Sequence, residues 1–401
     1  MVEYQAHMRI LFVSPRQCCP PRNGAALREY HLARGLGRHA ELTHVFFSPG
    51  GASASDCLPW KAVPVPAPER YTPAKIVRGL LGRRPLSVVN YTSAEMKAAL
   101  AAVMAAEPFD LVHIESIHMA AYEPILRQGG APLVYDWHNI ESEGMRRYSE
   151  SAPSPAHRFY AGLTARRLAA LETEILHTAS GHIVCSERER ETLLGLAPEA
   201  RIATIENGAD LRSFQETQPA AERRRILFVG WMAYHANVKA AVDFTRAVWP
   251  GIRERFPEWR LTLAGLDPAP AVLALRSEAN VEVTGTVEDI RPYYGESIAA
   301  IVPVRTGGGT RLKILEAMAA GVPVVSTPLG AEGLAVSPGT DILIAEKDED
   351  WLPQLSALST QGDLWNRLAE AGRCLVAVRY DWETLGQSLY ETYCRWLGRP
   401  Q

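Results

Sequence analysis

The sequence has 401 residues, 47% hydrophobic and 22% charged, which is ordinary globular material but too much for one comfortable core, so two domains of roughly 200 residues are expected. A net charge of −3 gives no global electrostatic reason to expect a nucleic acid as partner. No apolar run approaches the ~20 residues of a membrane-spanning helix, because the alanine-rich stretch 94–106 is short and carries Lys97, and a soluble cytoplasmic protein is expected.

Residues 2–7 are polar, lack a hydrophobic signal core and read as an extension upstream of the first strand. Short β-branched runs then alternate with longer helical patterns, the signature of βαβ units building parallel sheets. The first half predicts strands at 9–14, 42–47, 111–114, 133–135, 182–185 and 201–205, with helices notably at 25–36, 93–106 and 157–177. Turn chemistry at Glu206, Asn207, Gly208, Ala209 and Asp210, followed by the polar stretch 215–225 with Pro219, marks a linker.

A second series predicts strands at 226–230, 260–264, 281–284, 299–304, 322–326 and 342–344. The expected organisation is a first Rossmann-like α/β domain over 1–208, a hinge or linker over 209–224 and a second Rossmann-like α/β domain over 225–380. The segment 381–401 carries a last helix, 382–397, that feeds no strand and is free to pack across the domain junction. Two open α/β sheets facing one another would place a ligand between their carboxyl edges.

The six cysteines are scattered without a C-x-x-C pair or Cys/His ligand spacing, so neither a zinc site nor a disulfide framework is expected. The adjacent Cys18 and Cys19 read as two small loop residues.

The most informative segment follows the apolar strand 299–304. Thr306 leads into Gly307, Gly308 and Gly309, which remove side chains where backbone amides would approach an anion, and Thr310 is a sound N-cap for the helix beyond. Arg311 and Lys313 put two positive charges in the first helical turn, where the macrodipole disfavours cations, so a bound anion is expected there. The plain alternative is a solvated face with Lys313 pairing to Glu316 at i+3. Leu312, Leu315, Met318 and Ala319 mark the core-facing stripe, which turns Glu316 away from the core, one turn beyond the phosphate site, where a carboxylate suits a ribose diol. A dinucleotide fingerprint fails because Leu312 stands at its third glycine, and no Walker A motif occurs.

The run from Gly307 to Gly321, continued by Val322-Pro323-Val324-Val325-Ser326-Thr327 and Gly330-Ala331-Glu332-Gly333, resembles the donor-site signature of family-4 glycosyltransferases. So do Phe228-Val229-Gly230-Trp231-Met232 with Asn237, the turn Asn207-Gly208-Ala209-Asp210, and Phe109-Asp110-Leu111-Val112-His113. The resemblance implies a GT-B fold of two facing Rossmann-like parallel-sheet domains with a cleft between them. It also implies a nucleoside-diphosphate sugar donor, transfer with retention, and no obligatory cofactor or metal.

Carried over by position, the resemblance gives Glu316 the ribose, Gly308, Gly309 and Thr310 the phosphates or donor sugar, Gly230 the diphosphate-facing glycine loop, and the turn of Gly285, Thr286 and Val287 the base. Gly308 stands where the family often has a second glutamate, which leaves the sugar hydroxyls to backbone amides or another side chain. After Gly230 the family's Arg/Lys pair is replaced by His235, Asn237 and Lys239, and Arg311 and Lys313 are expected to supply the charge instead.

In the first half, the strand 111–114 ends at the carboxyl edge in His113, Glu115 and His118. A retaining front-face transfer needs a group beside the anomeric carbon to orient the acceptor hydroxyl, and Glu115 is the first candidate, His118 the second. Glu115 as a helix cap and His118 as a packed core histidine are the structural alternatives. His113 and His138, the latter at the end of the next strand, are assigned to the acceptor pocket with Arg16, Asn23 and Gly24 of the first loop. Arg78, Arg83 and Arg84, around Leu80 and Leu81, read as a solvated basic loop or as a peripheral contact with the inner face of a membrane.

The expected partners are a sugar nucleotide and a hydroxyl-bearing glycan, lipid-linked or small-molecule acceptor, with polysaccharide assembly favoured by the resemblance; nucleic acid is not among them. A sugar-nucleotide epimerase of the same fold and a non-catalytic sugar-nucleotide-binding protein are the alternatives. A phosphorylase is disfavoured by the short chain and by the lack of a pyridoxal lysine context.

Overall fold

A computed structural model describes residues 7–21, 23–49, 57–150, 152, 154–217, 220, 222–307 and 311–399. The chain forms two compact units, Met1–Glu206 with Leu385–Gln401, and Asn207–Thr384.

The first unit is built on a seven-stranded parallel sheet, β1 (Arg9–Ser14), β2 (Glu41–Ser48), β3 (Lys61–Pro66), β4 (Leu111–Glu115), β5 (Leu133–Asp136), β6 (Gly181–Val184) and β7 (Ile202–Thr204). Its spatial order is β3-β2-β1-β4-β5-β6-β7. Strands such as β1 and β4 read as continuous apolar runs because helices cover both faces of a parallel sheet, and Leu11, Val13, Val112 and Ile114 are fully buried in its core. β1 pairs directly with β4, Val13 opposite Ile114, so the strand order reverses there and the loops after Ser14 and Glu115 open side by side.

β3 is the strand that the sequence does not predict. Pro64 and Pro66 argue against a ladder strand, but β3 pairs with β2 alone at the sheet edge, where the missing amide hydrogens on the outer side cost nothing.

The second unit repeats the plan with six parallel strands, β8 (Arg225–Val229), β9 (Arg260–Ala264), β10 (Val281–Gly285), β11 (Ser297–Val302), β12 (Val324–Ser326) and β13 (Leu343–Ile344). The order β10-β9-β8-β11-β12-β13 puts the reversal between β8 and β11, over a separate core that includes Phe228, Leu263, Ile301 and Val325. The segment that follows β11 therefore emerges beside the one that follows β8.

The structure adds detail to two expectations and corrects a third. The units divide after Glu206, and within the stretch read as a hinge Leu211–Gln215 forms a short helix in the second unit, with Phe214 set edge-on to Tyr294 at 5.7 Å. The helix Trp382–Leu397 belongs to the first unit from Leu385 onward, where Gly386 lies so close to Gly35 that a Cβ on Gly386 would stand 2.7 Å from the Gly35 Cα. Finally, Cys19 is joined to Cys57 by a disulfide, a pairing that spacing alone did not reveal because the two stand 38 positions apart with no motif between them.

Among the described residues, no helix is long and apolar enough to cross a membrane.

Candidate active site

In the second unit the carboxyl ends of three adjacent strands carry glycines. Gly230 directly follows β8, Gly265 directly follows β9 with φ 144°, and Gly285 ends β10 with φ 73°. A Cβ on Gly265 would collide with the Gly230 carbonyl, and a Cβ on Gly230 would stand 2.7 Å from Lys313 Nζ and 2.8 Å from Asn237 Nδ2. Glycine at 230 is thus what lets two polar side chains close over the strand end.

Those side chains come from different helices. Asn237, in the first turn of helix His235–Ala247, donates through Nδ2 to the Trp231 carbonyl at 2.9 Å and accepts from Lys313 Nζ at 2.9 Å. Lys313 belongs to helix Leu312–Ala319, whose buried stripe is Ile314, Leu315, Ala317, Met318 and Ala319. The helix starts one residue later than expected: Arg311, not Thr310, holds the cap position, without a side-chain cap bond. The Arg311 guanidinium turns back over the loop, with Nη2 3.5 Å from the Thr306 carbonyl, instead of following the helix outward. Gly308, Gly309 and Thr310 lie outside the described residues. Gly307, at φ 93°, brings the loop against Tyr234 and Ala236 at the start of the other helix, where a Cβ would meet their side chains at 3.1 and 3.2 Å.

Gly230, Asn237, Thr306, Gly307, Arg311 and Lys313 are therefore gathered at the reversal of the second sheet. Lys239 is not among them: it faces solvent and bridges Asp243 one turn along its own helix at 2.8 Å. Lys313 does not form an ion pair with Glu316; its hydrogen bond goes to Asn237. Burial, with Arg311 acting in the same sense, pushes the Lys313 ammonium down to about 7 despite the nearby Glu316 carboxylate. Burial raises Glu316, against the pull of Lys313, and it sits beside the buried Tyr294. Thr286 and Val287 follow Gly285 on the rim, exposed and half-buried respectively.

In the first unit the corresponding place holds a network of buried charges. Glu115 ends β4 with no exposed surface, and His113, two residues earlier on the same strand face, donates from Nε2 to Glu115 Oε1 at 2.9 Å. The other His113 nitrogen is hydrogen-bonded to the Tyr393 hydroxyl, and the ring stacks on Phe12 at 4.4 Å. His138 engages the second Glu115 oxygen through Nε2 and keeps 11% of its side chain exposed, and Glu29 lies 3.8 Å from the same nitrogen. Arg16 pairs with Glu29 at 2.6 Å, and Arg28 forks onto Asp136 with contacts of 2.7 to 3.0 Å.

Two expectations change here. His113 is walled in by Phe12 and Tyr393 and orients Glu115 rather than lining a pocket. Glu115 is itself sealed, so it acts on anything outside through His138. Burial opposes ionisation of Glu115, but the two histidines outweigh it and hold its carboxyl well below the ordinary value; in the same way Glu115 raises His138 against the effect of burial. His118 is half-buried, its Nδ1 2.5 Å from Ser116 Oγ, and burial with the charges of Arg16, His138 and Arg70 lowers it to about 3. It is a neutral imidazole at physiological pH.

Asn23 caps helix Gly24–Gly37 by accepting from the Ala26 amide at 3.0 Å, and Gly24 opens that helix at the surface. Arg16 and Asn23 line a cavity of about 320 Å³ in this unit.

Residues 223–360 match the family described as glycosyl transferases group 1, and residues 23–208 match the glycosyl transferase 4-like domain. The chain belongs to the group 1 glycosyltransferases, with the GT-B fold. Over 246 residues it is 26% identical to a glycogen synthase of Mycobacterium tuberculosis, spanning 58% of each chain. A D-inositol 3-phosphate glycosyltransferase of Stackebrandtia nassauensis is 25% identical over 80% of this chain and 76% of its own. Among solved structures, sucrose-phosphate synthase of Thermosynechococcus elongatus superposes with a TM-score of 0.73 at 17% identity, covering 98% of this chain and 99% of that one. The Anabaena protein HepE, solved with UDP-glucose, gives 0.64 at 15% identity, covering 97% and 100%.

The two sheet reversals of this glycosyltransferase also gather residues that the sequence did not mark. Arg28, Glu29, Asp136 and Tyr234 carry no motif, yet Glu29, Leu32, Ala33 and Leu36 fall on one buried helix face, and a carboxylate interrupting an apolar stripe is the signal that was there to be read. The donor atoms of Glu29, Glu115 and His138 lie within 4.8 Å of one another, as do those of His113, Glu115 and Asp136, so either set is spaced as metal ligands could be. Each is already engaged within the protein, Glu29 by Arg16, Glu115 by both histidines and Asp136 by Arg28.

Proposed function

We propose that this glycosyltransferase takes a sugar from a nucleoside-diphosphate donor and transfers it to a hydroxyl acceptor with retention at the anomeric carbon. No metal or cofactor is obligatory in this reading, and the product serves polysaccharide or glycoconjugate assembly. The observation that carries it is the pair Arg311 and Lys313 at the N-terminal end of helix Leu312–Ala319, beside the β8–β11 reversal. Two cations at a helix N-terminus, one half-buried and one buried, are unfavourable alone and become favourable around a diphosphate.

In this reading Thr306, Gly307, Gly308, Gly309 and Thr310 offer backbone and hydroxyl groups to the phosphates and sugar. Glu316 accepts from the ribose hydroxyls, and the backbone at Thr286 and Val287 meets the base. His138, oriented by Glu115, contacts the acceptor, and neutral His118 can accept a hydrogen bond from its hydroxyl. The bond from the anomeric carbon to the phosphate oxygen breaks as the acceptor oxygen bonds to the same face, and the acceptor proton leaves with the diphosphate.

Support for the donor class comes from HepE, whose crystal structures are complexes with UDP and UDP-glucose. We further place the enzyme in the cytoplasm, in peripheral contact with the membrane. The supporting feature is helix Pro73–Leu81, a helix rather than the loop expected, which exposes Val77 at 54% and Leu81 at 83% next to Arg78, Arg83 and Arg84.

A panel of UDP-, GDP-, dTDP- and ADP-sugars, screened by thermal shift and then by NMR of the product linkage, tests the proposal. Stabilisation by one nucleotide and an unchanged anomeric configuration are expected. Isomerisation of the donor alone would make the enzyme an epimerase, and no stabilisation by any nucleotide would end the donor assignment.

A further inference from the structure

The cavity of about 320 Å³ in the first unit is lined by Arg16, Gln17, Asn23, Phe47 and Arg70, with prolines and small residues completing the wall. Among the described residues its only charged lining groups are the two arginines, although the chain as a whole is acidic. Arg70 lies over the Tyr91 ring at 4.3 Å and has no carboxylate within ion-pair reach among the described residues. Arg16 keeps 26% of its side chain exposed while one nitrogen pairs with Glu29, which is sealed behind it. Burial pushes Glu29 up to about 7, against the pull of Arg16. A cavity of this size sits at the lower end of small-ligand sites, room for an oxyanion and a ring or short polyol.

We infer that Arg16 and Arg70 bind an oxyanion on the acceptor, a phosphomonoester by first choice, so that the enzyme glycosylates small phosphorylated sugars or polyols in preference to their neutral counterparts. Guanidinium forks match the geometry of phosphate oxygens, and two of them facing one cavity suit a doubly charged group. Arg70, which no carboxylate pairs among the described residues, keeps the cavity wall positive and so favours a phosphorylated acceptor over a neutral one. The inference rests on the glycosyltransferase reading and narrows its acceptor.

The test pairs glucose 6-phosphate with glucose and glycerol 3-phosphate with glycerol, with glucuronate as a carboxylate arm, each supplied with the donor that the thermal-shift panel selects. The phosphorylated member of each pair should be used with a KM about tenfold lower than the neutral one. Arg70→Ala should raise that KM by about tenfold, with kcat little changed and the Kd for the nucleotide within about twofold, and Arg70→Lys should recover part of the loss. Equal KM values within each pair, or an Arg70→Ala effect on nucleotide Kd instead of acceptor KM, would overturn the inference. Preference for glucuronate alone would overturn the phosphate choice and keep the oxyanion. Calorimetric titration of glucose 6-phosphate into the enzyme, with Arg70→Ala as comparison, reads the site without turnover. If no donor binds, the transfer reading fails, while tight glucose 6-phosphate binding lost in Arg70→Ala would still uphold this site.

Discussion

The Lys313 ammonium donates to the Asn237 side-chain oxygen at 2.9 Å while standing 4.5 Å from the centre of the Phe228 ring. The bond ties the helix after β11 to the helix after β8, and it holds the cation in a place where burial has already brought its proton affinity down to about 7. A diphosphate arriving there would restore that affinity, because an anion favours the charged ammonium.

Nucleotide binding at pH 8 is therefore expected to take up close to one proton through Lys313. Calorimetry of the selected nucleoside diphosphate in buffers of different ionisation enthalpy measures this directly. Lys313→Met should abolish the uptake and weaken binding by about 1.5–3 kcal/mol, the scale of a charge-assisted hydrogen bond. Arg311→Ala combined with Lys313→Ala should weaken it further. Unchanged affinity in the double variant would remove the reason for placing the diphosphate at this helix.

The donor half was the more legible one because its chemistry is local. Glycines, cations and a carboxylate fall within eleven residues from Thr306 to Glu316, and helical periodicity alone orients them. The acceptor half resisted because its network is assembled from distant pieces: Glu29 meets His138 across 109 positions by virtue of the β1–β4–β5 order, which no spacing rule encodes. The strands themselves were readable from apolar runs, apart from β3, where two prolines hide an edge strand. Exposure was not readable either. Glu115 reads from the sequence as a group at the strand's carboxyl edge that meets the acceptor directly, and it is sealed, because His113 and His138 occupy both of its oxygens.

The Glu115–His138 pair should make stability depend on pH in a bounded window. His138 is raised above its ordinary 6.5, so its contribution is complete below that value and is lost as pH rises through the raised one. Glu115 is depressed below 4.5, so its contribution is present above that value and is lost as pH falls through the depressed one. Glu115→Gln should thus cost most near pH 5–6, about 3 kcal/mol as a buried pair broken on one side, and distinctly less above pH 8. Glu29, raised to about 7, adds to the wild-type decline with rising pH, since a carboxyl raised on folding favours the native state only while protonated. Urea denaturation at pH 5.5 and 8.5 separates the cases; a cost independent of pH would show that the pair is not charged in the native protein.

Helix Pro73–Leu81 exposes Val77 and Leu81 on an apolar face bordered by Arg78, Arg83 and Arg84. A surface patch of this kind fits an anionic bilayer, where each nearby cation adds about 1 kcal/mol at low salt and the apolar face adds burial. Co-sedimentation with phosphatidylglycerol vesicles is expected, weakening as salt is raised. Val77→Asp with Leu81→Asp should abolish it and leave nucleotide binding unaltered. Equal sedimentation with neutral phosphatidylcholine vesicles would count against the electrostatic part.

The final helix supplies a prediction about stability rather than chemistry. Gly386 and Gly35 approach each other backbone to backbone, and the same helix carries Tyr393, whose hydroxyl holds His113 in the orientation that engages Glu115. Gly386→Val inserts a branched side chain where a Cβ alone is already 2.7 Å from the Gly35 Cα, and backbone on both sides cannot rotate away as a side chain would. Overpacking of this kind costs about 1–3 kcal/mol, and the shift it forces on the helix should loosen the Tyr393 contact. The expected result is a lower melting temperature together with reduced transfer at unchanged nucleotide affinity, because the donor residues belong to the other unit. Tyr393→Phe removes the hydroxyl without the steric load, and it should reproduce the loss of transfer with a smaller loss of stability. Full transfer by Tyr393→Phe would show that His113 keeps its orientation through the Phe12 stack alone.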